Sequence, residues 1–138
     1  MSLNRVHQFE QLIVSLLNLQ GWHLEWCGGG YEHFDCIGTS PKGNSVVMEI
    51  KWRKKHYEKK MIEKYKYDKL LAEDAEALYL VADPKGHYIF WLNDLAKQET
   101  VELYCPDTTL WTKKRNNKEC YLLDERDAHK IHINYATS

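Results

Sequence analysis

The segment from Ser45 to Trp52 constrains the fold more than any other part of this sequence, because it alternates strictly between two kinds of position. One set of alternate positions is apolar, namely Val46, Met48, Ile50 and Trp52. The other set carries Glu49 and Lys51. A period of two is typical of a β-strand, in which successive side chains point to opposite faces. The sequence therefore predicts a strand with Glu49 and Lys51 together on one face.

A turn and a second short strand precede this segment. Residues 40–44 read Ser-Pro-Lys-Gly-Asn, a composition typical of turns, and His33–Thr39 before them reads as a strand. A hairpin centred between Lys42 and Gly43 pairs positions whose numbers sum to about 85, with an uncertainty of one residue. Asp35 is then expected beside Glu49 and Lys51, at the ~4.5–5.5 Å that separates cross-strand Cβ atoms.

The remaining pattern predicts one α/β domain. A helix is expected from Leu3 to just before Gly21, because apolar residues recur there at three- and four-residue steps. The other predicted strands are Trp22–Trp26, Leu78–Ala82, Tyr88–Leu92, Val101–Tyr104 and Cys120–Leu123. A second helix is predicted at His56–Ala75, with Tyr57, Met61, Ile62, Tyr65 and Leu71 facing inward, and a short helix is predicted to begin at Asn93-Asp94. The order α-β-β-β-α-β-β predicts a mixed central sheet flanked by helices. We expect a single domain over residues 1–138, with a core at about 3–98 and a less regular extension at 99–138.

Composition limits the class of protein. The chain has 138 residues, 43% hydrophobic and 28% charged, so it is predicted to be globular. It contains neither an apolar run of membrane-spanning length nor a secretory leader, and its four scattered cysteines fit reduced thiols. A cytoplasmic protein without a membrane partner is therefore expected.

The charge is strongly segregated along the chain. Nine basic and three acidic residues lie between Lys51 and Lys69, a net +6 that leaves −7 for the rest of a chain whose total is −1. A second basic cluster comprises Lys113, Lys114, Arg115 and Lys118. Local positive potential is what a polyanion recognises, although a solvated helix with salt bridges explains such a run equally well. The candidate nucleic-acid-binding residues are Arg53, Lys54, Lys55, Lys59 and Lys60.

A third carboxylate is expected close to Asp35 and Glu49. Glu10 falls within the apolar stripe of the first helix, beside Val6, Ile13 and Leu17, where a charge is costly without a cation or metal partner. Carboxylates held close together repel each other unless a positive charge lies between them. A hard divalent cation such as Mg²⁺ satisfies that requirement with oxygen ligands.

These residues resemble the PD-(D/E)XK nuclease superfamily. Asp35, the Glu49-Ile50-Lys51 triplet after a hairpin, and a helix bearing Glu10 are similar to its motif over roughly Val6–Ala82, although Phe34 stands where the name-giving proline would be. The resemblance implies a restriction-endonuclease-like fold and a DNA endonuclease that uses Mg²⁺ or Mn²⁺. The Glu on the first helix is similar to that of the Holliday-junction-resolvase-like and viral exonuclease-like branches.

The resemblance also implies roles for individual residues. Asp35, Glu49 and the Ile50 carbonyl would hold the metal ion. Glu10 would complete that site or help to hold a second ion, and Lys51 would orient or deprotonate the attacking water. Small members of this superfamily are often phage- or mobile-element-encoded and often act as homodimers. Linear duplex, branched junction, specific site and RNA all stay open as substrates.

Other interpretations are kept beside this one. A zinc site at His23, Cys27, His33 and Cys36 has suitable spacing, but Cys36 is expected to point away from Asp35. A catalytically inactive nucleic-acid-binding module would use only the basic helix. An interaction or structural protein would leave the charge run as a solvated surface. Tyr65 and Lys69, one turn apart, are weaker candidates for the cleft.

Overall fold

The computed structural model describes residues 2–28, 33–96, 98–106 and 115–133. Its two α-helices are α1 (Leu3–Asn18) and α2 (Lys64–Leu71). Its strands are β1 (His23–Trp26), β2 (Cys36–Thr39), β3 (Ser45–Trp52), β4 (Lys59–Glu63), β5 (Glu76–Asp83), β6 (Gly86–Trp91), β7 (Val101–Pro106), β8 (Arg115–Asp124) and β9 (His129–Ile131). Short 3-10 helices lie at Leu92–Asp94 and Glu125–Asp127. Within these ranges no helix combines the length and apolarity needed to cross a membrane.

The central sheet has six strands in the order β1-β2-β3-β5-β6-β9. Strands β3 and β5 are parallel, and every other neighbouring pair in this sheet is antiparallel. A second, three-stranded sheet has the order β4-β8-β7. The predicted α/β class with a mixed central sheet flanked by helices is therefore confirmed.

The two faces of the central sheet bury separate apolar clusters, because successive strand residues point in opposite directions. On one face α1 packs Ile13 and Leu17 against even-numbered residues such as Met48. On the other face α2 and the second sheet cover odd-numbered residues such as Val47 and Tyr79. Each helix therefore approaches β3 from its own side of the sheet.

The first helix and the register of the hairpin match the sequence-based predictions closely, although strand β2 begins at Cys36 and not at His33. Helix α1 begins after Ser2, whose hydroxyl accepts a hydrogen bond from the Arg5 backbone N–H at 3.3 Å, and the chain turns at Gly21 with φ +97°. The hairpin pairs residues whose numbers sum to 84, such as Cys36 with Met48, which lies within the predicted uncertainty.

The predicted helix over His56–Ala75 is wrong in its first half. Residues Lys59–Glu63 form strand β4, which pairs antiparallel with β8, and only Lys64–Leu71 are helical. Burial in β4 has a period of two, with Lys60 and Ile62 turned inward. The expected inner helix face also fails, since Tyr57, Tyr65 and Leu71 are exposed. Pairing with a strand about 60 residues away outweighs the local helix pattern, which is a tertiary effect.

The C-terminal residues contribute to both sheets. The strands predicted at Val101–Tyr104 and Cys120–Leu123 are confirmed as parts of β7 and β8, and β9 adds an edge strand beside β6. In the second basic cluster, Lys118 forms an ion pair with Glu63 at 3.6 Å. Lys113 and Lys114 lie outside the described residues. The predicted boundary between a core at about 3–98 and an extension at 99–138 stays a prediction.

Candidate active site

The candidate site lies where β3 extends beyond its neighbour β2. The last β2–β3 pair joins Cys36 to Met48, whereas β3 stays paired with β5 as far as Trp52 and Ala82. Residues 49–52 consequently have one strand edge that β2 does not cover. Side chains from both faces of the sheet can reach a groove at this edge, which is how α1 and α2 come to share one site.

Asp35 closes the ladder at the point where β2 begins. Its backbone N–H donates to the Met48 carbonyl at 2.9 Å, and its Oδ2 accepts a hydrogen bond from the Ile50 backbone N–H at 2.7 Å. The carboxylate thus replaces the partner that a longer β2 would supply to β3. This contact places Asp35 beside the Glu49-Ile50-Lys51 triplet, as the hairpin predicts.

Glu10 reaches the same region from α1. Its side chain is 5% exposed, and its Oε1 accepts a hydrogen bond from the Trp26 indole N–H at 3.0 Å. A β-carbon built on Gly28 would lie 2.7 Å from both Glu10 Oε1 and Trp26 Nε1. The absence of a side chain at Gly28 is therefore what allows the Glu10 carboxylate its present position.

Gly28→Ala is expected to displace the Glu10 carboxylate, since real β-carbons essentially never approach another atom so closely. We predict weaker divalent-metal binding, with a loss of stability of about 1–3 kcal/mol from overpacking. Titration of Mg²⁺ against the melting temperature measures both effects. Gly43→Ala is the matched control, because no atom lies within 4 Å of a β-carbon there, although its φ of +85° carries its own strain. Equal metal affinity in Gly28→Ala and wild type would contradict a role for the Glu10 carboxylate in metal binding.

Two adjoining cavities flank Glu49. One, of about 270 Å³, is lined by Asp35, Glu49 and Lys66 together with His33, Phe34, Tyr65 and Lys69. The other, of about 370 Å³, is lined by Glu10, Glu49, Lys51 and Lys66 together with Val6, Phe9, Ile50, Trp52 and Lys54. Glu49 and Lys66 belong to both cavities, so they stand between the Asp35 side and the Glu10 and Lys51 side of the groove.

Lys66 is the site residue that the sequence reasoning missed. Its Nζ lies 3.7 Å from Glu49 Oε1, and it projects from the first turn of α2. The longer predicted helix gave no reason to choose Lys66 over the other lysines of the basic segment. The weaker candidates Tyr65 and Lys69 do line the first cavity. Once α2 is known to begin at Lys64, Tyr65 and Lys66 fall in its first turn and Lys69 falls in its last turn.

Burial and mutual repulsion raise the pKa values of two carboxyl groups. Burial, together with the smaller effect of the nearby Glu10, raises the pKa of Asp35 to about 6 against the hydrogen bond from Ile50. Burial and then the charge of Asp35 raise the pKa of Glu49 to about 7, although Lys66 opposes this shift. The three acidic side chains therefore interact electrostatically, and Lys66 provides part of the compensating positive charge.

The pKa of Lys51 is lowered, first by burial and then by the positive charges of Arg53 and Lys66. An ammonium group with a lowered pKa gives up its proton more readily, which suits a residue that takes a proton from water. Lys51 also lines the cavity that holds Glu10 and Glu49. Its position and its environment are both compatible with the role implied by the resemblance.

The predicted nucleic-acid-binding residues separate into accessible and inaccessible groups. Lys54 and Lys55 are exposed in the segment between β3 and β4, and Lys54 lines the second cavity. Arg53 is half-buried, and Lys59 is exposed with an ion pair to Asp124 at 2.9 Å. Lys60 is only 3% exposed and cannot meet a phosphate as it stands. We therefore leave Lys60 out of the proposed DNA-binding surface.

The donor atoms of the site suit a hard divalent cation, but they are not gathered round one point. Among the described residues, no three His, Cys, Asp or Glu side chains are grouped closely enough to hold a metal ion. Nevertheless, Asp35, Glu49 and Glu10 supply carboxylate oxygens that repel each other, and such oxygens are the ligands Mg²⁺ prefers.

The environment of Cys36 disfavours the alternative zinc site. Cys36 is buried, and burial raises the pKa of its thiol, which disfavours the thiolate that zinc requires.

Comparison of the sequence with protein-family models and with curated proteins gave no match. Comparison of the structure with solved structures gave a match to Hjc, a Holliday junction resolvase from the archaeal hyperthermophile Archaeoglobus fulgidus. The match has a TM-score of 0.60 and 16% sequence identity, and it covers 90% of this chain and 89% of that chain. The chain therefore has the restriction-endonuclease-like fold of the PD-(D/E)XK nucleases.

Proposed function

We propose that this chain is a divalent-metal-dependent endonuclease that hydrolyses phosphodiester bonds in DNA. The observation that carries the proposal is a pair of adjoining cavities at the uncovered edge of β3, of which one is lined by Asp35 and Glu49 and the other by Glu10, Glu49 and Lys51. The fold shared with a Holliday junction resolvase supports the same conclusion. Mutually repelling carboxylates beside a lysine of lowered pKa are an expensive arrangement for a purely structural protein.

Each residue has a separate part in this proposal. Asp35, Glu49 and the Ile50 carbonyl would hold the ion, and Glu10 would complete its ligands from α1. Bound Mg²⁺ (or Mn²⁺) would supply a Lewis acid that stabilises charge on the phosphate. Lys51 would orient the attacking water and accept its proton. Lys66 would favour the ionised form of Glu49 before the ion arrives, because its Nζ lies 3.7 Å from that carboxylate and opposes the rise in its pKa.

A four-way DNA junction is the first substrate to test. The solved structure that shares this fold belongs to a Holliday junction resolvase. Resolution of such a junction requires two cuts, so we also propose that the chain acts as a homodimer with one site in each protomer. Arg53, Lys54, Lys55 and Lys59 would contact backbone phosphates, which position DNA without reading its sequence.

The experiment that tests this function is a cleavage assay on supercoiled plasmid, linear duplex and a four-way junction. Each substrate is incubated with Mg²⁺, with Mn²⁺ and with a chelator. The proposal expects metal-dependent cleavage of at least one substrate, and the ranking of rates identifies the preferred one. Binding without cleavage under every metal condition would support the inactive binding module instead.

Mg²⁺ is expected to stabilise the folded chain much more at about pH 8 than at about pH 5. The pKa values of Asp35 and Glu49 are raised on folding, so the folded chain holds more protons than the unfolded chain between about pH 4 and pH 7. Without metal, stability therefore falls as the pH rises through this window. At 100 times its Kd, Mg²⁺ adds about 2.7 kcal/mol, or roughly 10 °C in Tm.

Differential scanning fluorimetry across this pH range measures the shift. The control is Glu49→Gln, which removes one charge while keeping the shape of the side chain. This variant is expected to be more stable than wild type at high pH without metal, and to respond weakly to Mg²⁺. An equal response to Mg²⁺ in both proteins would show that the ion binds elsewhere.

A further inference from the structure

A third and larger cavity, of about 840 Å³, lies beside the candidate active site between the central sheet and the second sheet. Its apolar walls come from four strands, with Met61 on β4, Val81 on β5, Leu103 on β7 and Leu122 on β8. Its rim carries three basic residues, Arg53, Lys55 and Lys59, and one exposed acidic residue, Glu58. Its volume is within the range of cavities that bind small organic ligands.

Arg53 connects this cavity to the active site. It follows β3 directly, and its backbone N–H donates to the Ala82 carbonyl at 2.8 Å, so the extended chain continues past Lys51. Two residues along an extended chain advance about 6–7 Å, a distance of the same order as the spacing of neighbouring phosphates in one nucleic-acid strand. A DNA strand that runs along β3 with its scissile phosphate at Lys51 would bring its next phosphate close to Arg53.

The guanidinium group of Arg53 is held in place by a hydrogen bond. Arg53 Nη2 donates to the Met61 carbonyl at 3.4 Å, and the same carbonyl accepts a hydrogen bond from the Tyr79 hydroxyl at 2.8 Å. Among the described residues, Lys55 has no ion-pair partner and is exposed. Tyr57 is 58% exposed and also lines the cavity, where its ring offers a flat surface for stacking.

Two acidic residues also line the cavity, Glu58, which is exposed, and Asp83 at the end of β5, which is buried. Asp83 accepts hydrogen bonds from Lys60 at 2.8 Å and from the His56 ring at 2.8 Å, so its charge is already compensated. The cavity therefore combines apolar walls, an aromatic ring and a rim on which the basic side chains Arg53, Lys55 and Lys59 outnumber the exposed acidic side chain of Glu58. This combination matches the chemistry of a single nucleotide, with an apolar base face and an anionic phosphate.

We propose that this cavity binds one unpaired nucleotide next to the scissile phosphate, so that the substrate class is DNA with an unpaired base beside the cut. The inference rests on the proposed nuclease function, because it assigns the scissile phosphate to the site at Lys51. A base within a continuous duplex must leave the stack to enter such a cavity, and this costs least when the base is already mismatched or single-stranded. Bulged, mismatched and branched DNA are therefore preferred to perfect duplex.

Two measurements test the proposal. The first compares Mg²⁺-dependent cleavage of a perfect duplex with that of the same duplex carrying one bulged nucleotide. The second measures the fluorescence of 2-aminopurine as the bulged base, in Ca²⁺, which supports binding without requiring turnover. We expect cleavage of the bulged DNA to be faster by about tenfold or more, and fluorescence to change on binding as the base moves onto the protein.

Leu122→Trp fills the cavity, and Tyr57→Ala removes the stacking surface without filling it. Both are expected to reduce the preference for bulged DNA and the fluorescence change, while cleavage of perfect duplex persists. Leu12→Trp, at an exposed position of α1, is the bulk-matched control and is expected to behave as wild type. If Leu122→Trp does not fold, Tyr57→Ala alone decides the outcome.

The possible failures are distinguishable. Cleavage of perfect and bulged DNA at equal rates, or an unchanged preference in Tyr57→Ala and Leu122→Trp, overturns the nucleotide cavity and leaves the nuclease intact. A fluorescence change that both variants abolish, without cleavage of any substrate, supports the cavity and overturns the nuclease. Absence of both cleavage and a fluorescence change overturns both.

Discussion

Lys51→Ala is expected to lower the single-turnover rate of DNA cleavage by about 100- to 10,000-fold while DNA affinity stays nearly unchanged. Lys51 lies two residues from Glu49 on the same face of β3 and lines the cavity that also holds Glu10. Burial, Arg53 and Lys66 lower its pKa, which prepares it to accept a proton from water. Its loss removes proton transfer, whereas phosphate contacts are distributed over several other basic residues.

The matched control for this variant is Lys54→Ala. Lys54 lines the same cavity but is exposed, so its loss is expected to weaken binding modestly and to leave the rate of bound substrate unchanged. The measurements are single-turnover cleavage in Mg²⁺ and binding in Ca²⁺. Parallel loss of affinity and rate in a folded Lys51→Ala protein would make Lys51 a binding residue. Full activity of Lys51→Ala together with an inactive Lys66→Ala would indicate that Lys66, and not Lys51, accepts the proton from water.

Lys60→Met is expected to destabilise the folded chain by about 3–5 kcal/mol, the typical cost of leaving one partner of a buried ion pair uncompensated. Lys60 Nζ lies 2.8 Å from Asp83 Oδ2 and 3.2 Å from Glu125 Oε2, and it also donates to the Tyr57 carbonyl. The ammonium group lies 4.3 Å from the centre of the Tyr88 ring. Without it, the Asp83 carboxylate stays buried with less compensation.

Lys59→Met is the control for the buried lysine. Lys59 is the preceding residue on β4, and its ion pair with Asp124 is exposed to solvent on the lysine side, so a change below about 1 kcal/mol is expected. Urea unfolding of both variants provides the comparison. The double variant Lys60→Met/Asp83→Asn is expected to recover part of the loss, since it removes the uncompensated charge. Equal stability of Lys59→Met and Lys60→Met would show that the buried cluster contributes little.

The position of Asp35 beside β3 follows from local patterns in the sequence. The alternation in Ser45–Trp52 and the turn before it depend on neighbouring residues, so they place Asp35 beside β3 without knowledge of distant contacts. Glu10 is identifiable for the same reason, because its place in the stripe of α1 depends on a single helix. Local periodicity is enough where one element determines which way a side chain points.

The basic segment shows where this reasoning fails. Lys60 looks like an exposed helix residue in the sequence, yet it is buried because β4 pairs with β8 and because Asp83 and Glu125 compensate its charge. Those partners are 23 and 65 residues away, and no local pattern indicates them. Lys66 was missed for a related reason, since its contact with Glu49 depends on where the shortened α2 begins.

The most direct test of the nuclease proposal is cleavage of a four-way DNA junction by wild type and by Glu49→Gln, both in Mg²⁺. Glu49 is the carboxylate that both site cavities share, and its replacement by an isosteric amide removes a charge without removing volume. The proposal predicts Mg²⁺-dependent cleavage by wild type and loss of that cleavage in the folded variant, with DNA binding retained. Equal cleavage by the two proteins, or no cleavage of any DNA by wild type with Mg²⁺ or Mn²⁺, would contradict it.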